Sequence, residues 1–211
     1  AAMVLAAESY WESTADPGAV VLAFVVGEEV GGIGTRHLVS EGIDADAAIL
    51  GEPSGLRVAI AQKGVVRFDV TVHGESSHSG RPDEGRNAIW GMRRVLERLE
   101  HVDRRLRSET SHPLLRPETL TVTLLEGGVA ENVVPDSATC HVDWRLHPGR
   151  TDPNQYDERL ASALADVTLD GSPVQVTIDR NRYLRPAAIP QEDPLVSAML
   201  AAADAAGIDS G

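Results

Sequence analysis

Two kinds of hydrophobic pattern run along this chain, and one gives way to the other near residue 63. Before that point apolar residues cluster in runs, unbroken at 20–26. Residues 20–26, 45–50 and 56–61 each read as a strand buried on both faces, as in a parallel sheet. Residues 33–41 predict a short helix closed by Gly42, and the first residues, with Met3, Val4 and Ala7 apolar, read as another. From Val65 the apolar residues alternate strictly with polar ones: Val66, Phe68, Val70, Val72; then Leu120, Val122, Leu124; then Ala138, Cys140, Val142, Trp144, Leu146; then Val174, Val176, Ile178. Such segments make a sheet with one buried and one wet face. Helical spacing recurs twice between them, in Ile89, Met92, Val95, Leu96 and Leu99 and in Tyr156, Leu160, Ala163, Leu164 and Val167.

The order from Val65 onward is βαββαβ, the ferredoxin-like split βαβ arrangement, with both helices on the apolar face of the sheet. The expected fold is therefore an α/β domain with a mostly parallel sheet, only part of it present, into which an α+β domain is inserted. Residues 1–62 form its first part, 63–180 the inserted domain and 181–211 the return segment. Lys63-Gly64 and the stretch after Asp179 are the expected hinges. Asp193-Pro194 reads as an N-cap followed by proline at the first helical position, with Leu195, Val196, Met199, Leu200 and Ala203 on one face. Both ends look cut within a larger domain. Residues 108–118 read as a surface loop.

Composition narrows the function classes without choosing one. Of 211 residues 42% are hydrophobic and 24% charged, an ordinary soluble balance. The formal charge of −13 disfavours nucleic-acid phosphates as partners. No apolar run approaches the roughly 20 residues that span a bilayer, and the opening residues have no basic n-region, so neither membrane nor signal peptide is expected. With Cys140 as the sole cysteine no intrachain disulfide forms, and a cytoplasmic location is expected.

The chemistry-bearing residues sit where patterns end. Glu28 and Glu29 follow the run 20–26, at the carboxyl end of a strand where α/β sheets bind ligands, and a tight glycine-rich turn follows them. Glu52 follows the run 45–50 in Gly51-Glu52-Pro53-Ser54. Strand-end carboxylates on one sheet edge are hard oxygen donors suited to zinc, manganese or cobalt. Taken singly, each also reads as a solvated loop acid. His78 lies among small residues that leave its ring accessible. Asn132 offers an amide to a substrate or a cap to its turn. Arg145, on the polar face of its strand, either makes a surface ion pair or grips a carboxylate bidentately. His37, His73, His101, His112, His141 and His147 are assigned to the surface.

Taken in order, GEEVGGIG, GEPS, GESSHSGRPDEGRNAI and GGVAENVVPDSATCHVDWR resemble consecutive motifs of the M20 metallopeptidase-like family, nearest its acetylornithine deacetylase and succinyl-diaminopimelate desuccinylase branch. The resemblance covers nearly the whole chain. It implies a dinuclear metal hydrolase with two divalent ions, zinc first, cobalt or manganese otherwise. Glu28 would be the general base, Glu29 a ligand of one ion and Glu52 of the other. His78 would stabilise the oxyanion, reaching across a homodimer interface into the partner's site. Asn132 and Arg145 would hold the carboxylate end of an N-acyl amino acid or similar small substrate. The inserted domain would be lid and dimerisation surface. The family's remaining ligands, a histidine and a bridging aspartate upstream and a histidine downstream, match nothing here, so this chain alone is expected to be inactive. A carboxypeptidase or dipeptidase of the same family is the nearer alternative. A non-catalytic, self-associating module of the same fold is the one from another class.

Overall fold

The computed structural model describes residues 1–209; the last two positions of the expected return segment lie outside the described residues. Contacts divide the chain into two compact units, residues 1–58 with the stretch from Ala198, and Ala59–Ser197.

In the first unit, α1 (Ala2–Ser13) and α2 (Ile33–Ser40) are helical, and Gly42 ends the turn after α2 at φ +83°. The runs 20–26, 45–50 and 56–61 form no ladder with one another, and in the third only Ala61 pairs, opposite Ala188, which corrects the expectation of three buried strands. The apolar side chains of the first two runs are exposed, with Phe24 at 76% and Leu50 at 74%, while Val58 and Ile60 of the third are half-buried. The physical reason is that a strand buried on both faces needs pairing at its edges and a layer on each face. These runs do not pair with one another, so the apolar pattern is unanswered.

The second unit answers its own pattern. After β1 (Ala61–Gln62) come β2 (Gly64–His73), β3 (Ser77–His78), α3 (Ala88–Glu109), β4 (Thr119–Gly127), β5 (Val133–Val134) and β6 (Ser137–Leu146). Then follow α4 (Asn154–Leu164), β7 (Thr168–Leu169), β8 (Ser172–Pro173), β9 (Gln175–Leu184) and β10 (Ala187–Ala188), and α5 (Pro194–Ala205) begins in this unit and ends in the other. Four strands make one antiparallel sheet in the order β4-β6-β2-β9, the split βαβ order. Val66, Phe68, Val70 and Val72 on β2 and Cys140, Val142, Trp144 and Leu146 on β6 face one side. Met92, Val95 and Leu99 of α3 and Tyr156, Leu160 and Leu164 of α4 pack on that side in a single core. Asn87 starts α3 by accepting the N–H groups of Ile89 and Trp90 at 2.9 and 3.3 Å. Asp193 does the same for α5 through the Leu195 N–H.

Two bulges break the strict alternation. Between Val122 and Leu124 the β4 register shifts, so Leu124 lies opposite His141 on the polar side instead of with Leu120 and Val122. The second, opposite Arg67 and Phe68, leaves Asn181 of β9 unpaired in the ladder. The Asn181 amide instead donates to Asp69 Oδ1 at 2.7 Å. Helix α3 consumes residues 108 and 109 of the expected loop, and Glu118 at the loop's far end is buried, accepting the His147 N–H at 3.0 Å. His147 is itself only 8% exposed, its ring bonded to the Arg116 carbonyl at 2.8 Å, so it is not a surface residue. His141 is half-buried against Asp69 at 2.7 Å.

Burial raises the Cys140 thiol from its ordinary 9.0 to about 11, and raises the Tyr156 phenol from 10.0 to about 12, with Glu118 adding to the latter. Both groups stay neutral in the fold where an unfolded chain would ionise them. Their stabilising contribution is therefore intact below pH 9 and lost progressively as pH rises towards 11 and 12. Urea midpoints of this unit should accordingly be flat from pH 7 to 9 and fall above that. In Cys140→Ser the fall should begin later. A midpoint that rises above pH 9 would contradict this account.

Candidate active site

The glycine-rich segment after residue 26 is a turn because its backbone demands it. Gly31 and Gly32 both donate to the Glu28 carbonyl, at 3.1 and 3.0 Å, and Gly32 caps α2 at φ +64°. A Cβ on Gly34 would meet the Val26 backbone at 2.6 Å, so only glycine lets the helix start that close to the preceding chain. The turn exposes Glu28 and Glu29. Glu52 is also exposed, in a turn closed by the Ser54 N–H on its carbonyl at 2.8 Å.

Among the described residues no group of three or more histidine, cysteine, aspartate or glutamate side chains is placed to hold a metal ion. A zinc site takes about four ligands, at least three from protein. The three carboxylates therefore do not by themselves fit the two ions that the resemblance implies.

His78 and Asn132 do come together. Strand β3 pairs with β5, His78 opposite Val133, and Ser79 N–H donates to the Asn132 carbonyl at 2.9 Å. The His78 ring is oriented by its own loop. Its Nδ1 accepts the Gly80 N–H at 3.0 Å, which leaves the neutral ring with its proton on Nε2. Nε2–H is then a donor on an exposed side chain, the form required of an oxyanion partner. Gly80 must be small for this contact, since a Cβ there would sit 3.2 Å from Nδ1.

Arg145 lies elsewhere. It is the penultimate residue of β6, opposite Val65 at the start of β2, whereas His73 at the end of β2 faces Ser137. The chain between β2 and β3 is tied to the Ser137 end, by Gly74 N–H on the Asp136 carbonyl at 2.8 Å. At roughly 3.4 Å per residue, Arg145 and the His78–Asn132 pair are separated by about 25 Å, the length of the strand. Arg145 Nε donates to Asp143 Oδ1 at 2.6 Å, and Arg67 Nε holds Oδ2 of the same carboxylate at 2.8 Å. Neither Asp143 nor Arg67 stands out in the sequence; the one signal for Asp143 is its place two residues before Arg145, on the same face.

Residues 60–172, just over half of the chain, match the M20 peptidase dimerisation domain. The chain is 35% identical over 151 residues to an acetylornithine deacetylase of Myxococcus xanthus, covering 70% of this chain and 38% of that one. A probable carboxypeptidase of Aspergillus clavatus is 36% identical over 191 residues, covering 85% and 40%. The chain thus spans about two fifths of these relatives. Among solved structures it resembles a tripeptidase of Staphylococcus aureus, with TM-score 0.66 and 21% identity over 89% of this chain and 48% of that one, a likeness of fold. No helix among the described residues is long and apolar enough to cross a membrane.

If the Gly80 contact sets the His78 tautomer, two-bond ¹H–¹⁵N correlations at neutral pH should show His78 as the Nε2–H form. Gly80→Ala should disturb those signals while leaving the sheet's amide spectrum intact. A wild-type Nδ1–H tautomer would exclude the assigned donor role.

Proposed function

The chain belongs to the M20 family, and from that premise we propose that the whole protein hydrolyses an amide bond in a small substrate bearing a carboxylate next to the scissile bond. N-acyl amino acids of the deacetylase or desuccinylase type are the first choice. The probable carboxypeptidases among its relatives favour a second reading with the same chemistry, cleavage of a short peptide at its C-terminal residue. Turnover of N-acetyl amino acids against dipeptides separates the two.

In this reading Glu28 takes a proton from water as the water oxygen bonds to the amide carbon. It then delivers that proton to the nitrogen as the C–N bond breaks, leaving an amine and a carboxylic acid that ionises in water. His78 Nε2–H donates to the oxyanion formed in between, and Asn132 and Arg145 hold the substrate carboxylate. Glu29 and Glu52 are assigned as carboxylate donors to the metal ions, in a site that needs further donors besides them.

The separation of Arg145 from the His78–Asn132 pair carries the proposal of a homodimer. One chain cannot lay both on one small molecule across about 25 Å of strand. Two copies can, if His78 and Asn132 of each serve the other. Strand β4 is an edge of the sheet, with Leu124 and Leu125 exposed at 59% and 56%, and Ile89 and Trp90 at the start of the neighbouring α3 are exposed as well. An apolar, unpaired edge is suited to pairing with its own copy.

Mixing two inactive full-length variants tests both roles at once. Glu28→Gln alone should lower kcat by about 10² or more, the scale of a lost general base, with metal content unchanged. His78→Ala alone should cost about 10²–10³, as removal of an oxyanion donor does. Mixed and allowed to exchange, they should regain about a quarter of wild-type activity, because half the dimers are mixed and each has one intact site. No recovery despite proven exchange would place His78 in its own chain's site. Glu28→Gln retaining activity within about tenfold would remove it as the base.

A further inference from the structure

Arg145 is not a free surface arginine. Its Nε donates to Asp143 Oδ1 at 2.6 Å, and its Nη2 lies 3.4 Å from Oδ2. Asp143 occupies the Nε/Nη2 side of the guanidinium, so the end-on edge formed by Nη1 and Nη2 is left to face a ligand. That edge matches a carboxylate with two parallel N–H donors.

The clamp is built into the middle of the sheet. Strand β6 lies between β4 and β2, with Asp143 opposite Thr121 on one side and Arg67 on the other, so its backbone is held from both directions. Its side chain is only 12% exposed, against 47% for Arg145. Arg67 Nε takes Oδ2 at 2.8 Å and so fixes the carboxylate's second oxygen. Arg182 of β9, opposite Arg67 on the same face, has no ion-pair partner among the described residues. Three guanidiniums therefore share this end of the polar face with Asp143, while Asp69 and Asp179 lie two residues further along it.

We propose that Asp143 is the positioning residue for Arg145: it holds the guanidinium by its Nε side and presents the Nη1/Nη2 edge to the substrate carboxylate. The proposal rests on the reading of Arg145 as the carboxylate-binding group. Asp143 itself touches no substrate. Without it the ligand would have to order a long, mobile side chain, and Arg145 would face the neighbouring arginines uncompensated.

The test uses the full-length enzyme and two substrates, an N-acyl amino acid and its carboxamide, which lacks the charge. Asp143→Asn should raise KM for the acid about tenfold while kcat and KM for the carboxamide change less than about threefold, the signature of lost ground-state binding. Arg67→Gln breaks the same cross-strand pair but leaves Asp143 on Arg145, and should raise KM for the acid less than about threefold. Asp143→Glu keeps the charge but misplaces it by a methylene; it should also raise KM for the acid, and it replaces Asp143→Asn if that variant does not fold. Arg145→Ala separates the two layers of the argument. If it leaves the acid-to-carboxamide preference unchanged, the carboxylate-binding reading fails and the proposal with it. If it abolishes the preference while both Asp143 variants keep it, the positioning role alone is overturned. Equal effects of Arg67→Gln and Asp143→Asn would also overturn it, since the sheet and not the arginine's orientation would then be responsible.

Discussion

The pairing of β2 with β6 is the constraint on which the second unit depends. Ten consecutive residue pairs, from Gly64 opposite Leu146 to His73 opposite Ser137, set which side chains meet the helices. A slip of one residue in β6 would turn Trp144, Val142 and Cys140 to water and drive Arg145 and Asp143 into the core. Each large apolar side chain so exposed forfeits about 1.5–3 kcal/mol, and burying a charge with its partner lost costs several more. The register is therefore overdetermined, and the polar face follows from it. Arg67, Asp143 and Arg145 meet because three odd-numbered positions on two central strands have no other side to occupy.

The same register decides which parts of the fold are legible in the sequence. Strict alternation is informative when the apolar face is covered by elements close in the same chain, as α3 and α4 cover Phe68, Val142 and Trp144 here. The runs at 20–26, continuous, and 45–50, broken only by Asp46, carry a strong pattern too, but it describes burial on two faces by layers these runs do not themselves provide. Phe24 and Leu50 are accordingly exposed. The bulges at Leu124 and Asn181 were not legible for a different reason. An extra residue shifts the phase of a strand without altering its composition, so Leu124 continues the apolar alternation on paper while facing His141 in the sheet. Glu118 and His147 are polar yet buried, which polarity in the sequence does not reveal. Glu118 accepts the His147 N–H and the His147 ring bonds the Arg116 carbonyl, which is how buried polar groups survive.

For the site, the residues in motifs with unusual backbone were the readable ones. Glu28 and Glu29 are fixed by a turn that needs glycine at Gly32 and Gly34, and His78 by a loop that needs Gly80 to stay small. Glycine spacing marks such places in a sequence because no other residue meets the demand. Asp143 is set by a different kind of constraint, cross-strand geometry. Its partners are Arg67, 76 residues away along the chain, and Arg145, two residues on. Only the register brings all three to one point.

The two edges of the sheet carry the last step. Both β4 and β9 leave a row of backbone groups unpaired, and sheet proteins commonly defend such edges with charge. Strand β9 is defended, by Asp179, Arg180 and Arg182. Strand β4, reading TLTVTLLEG, holds one charged residue, Glu126, and exposes two leucines. In a chain of net charge −13, an apolar edge this poor in charge is the one at which two copies would meet with least repulsion. A two-fold contact at β4 is self-complementary, so whatever one copy lends the other is returned by the same operation. The long separation of His78 and Asn132 from Arg145 within one chain is what the proposed shared sites would require. Under the proposed sharing of sites, each copy would present His78 at one end of the sheet and Arg145 at the other, with the undefended β4 edge between those ends left for its partner.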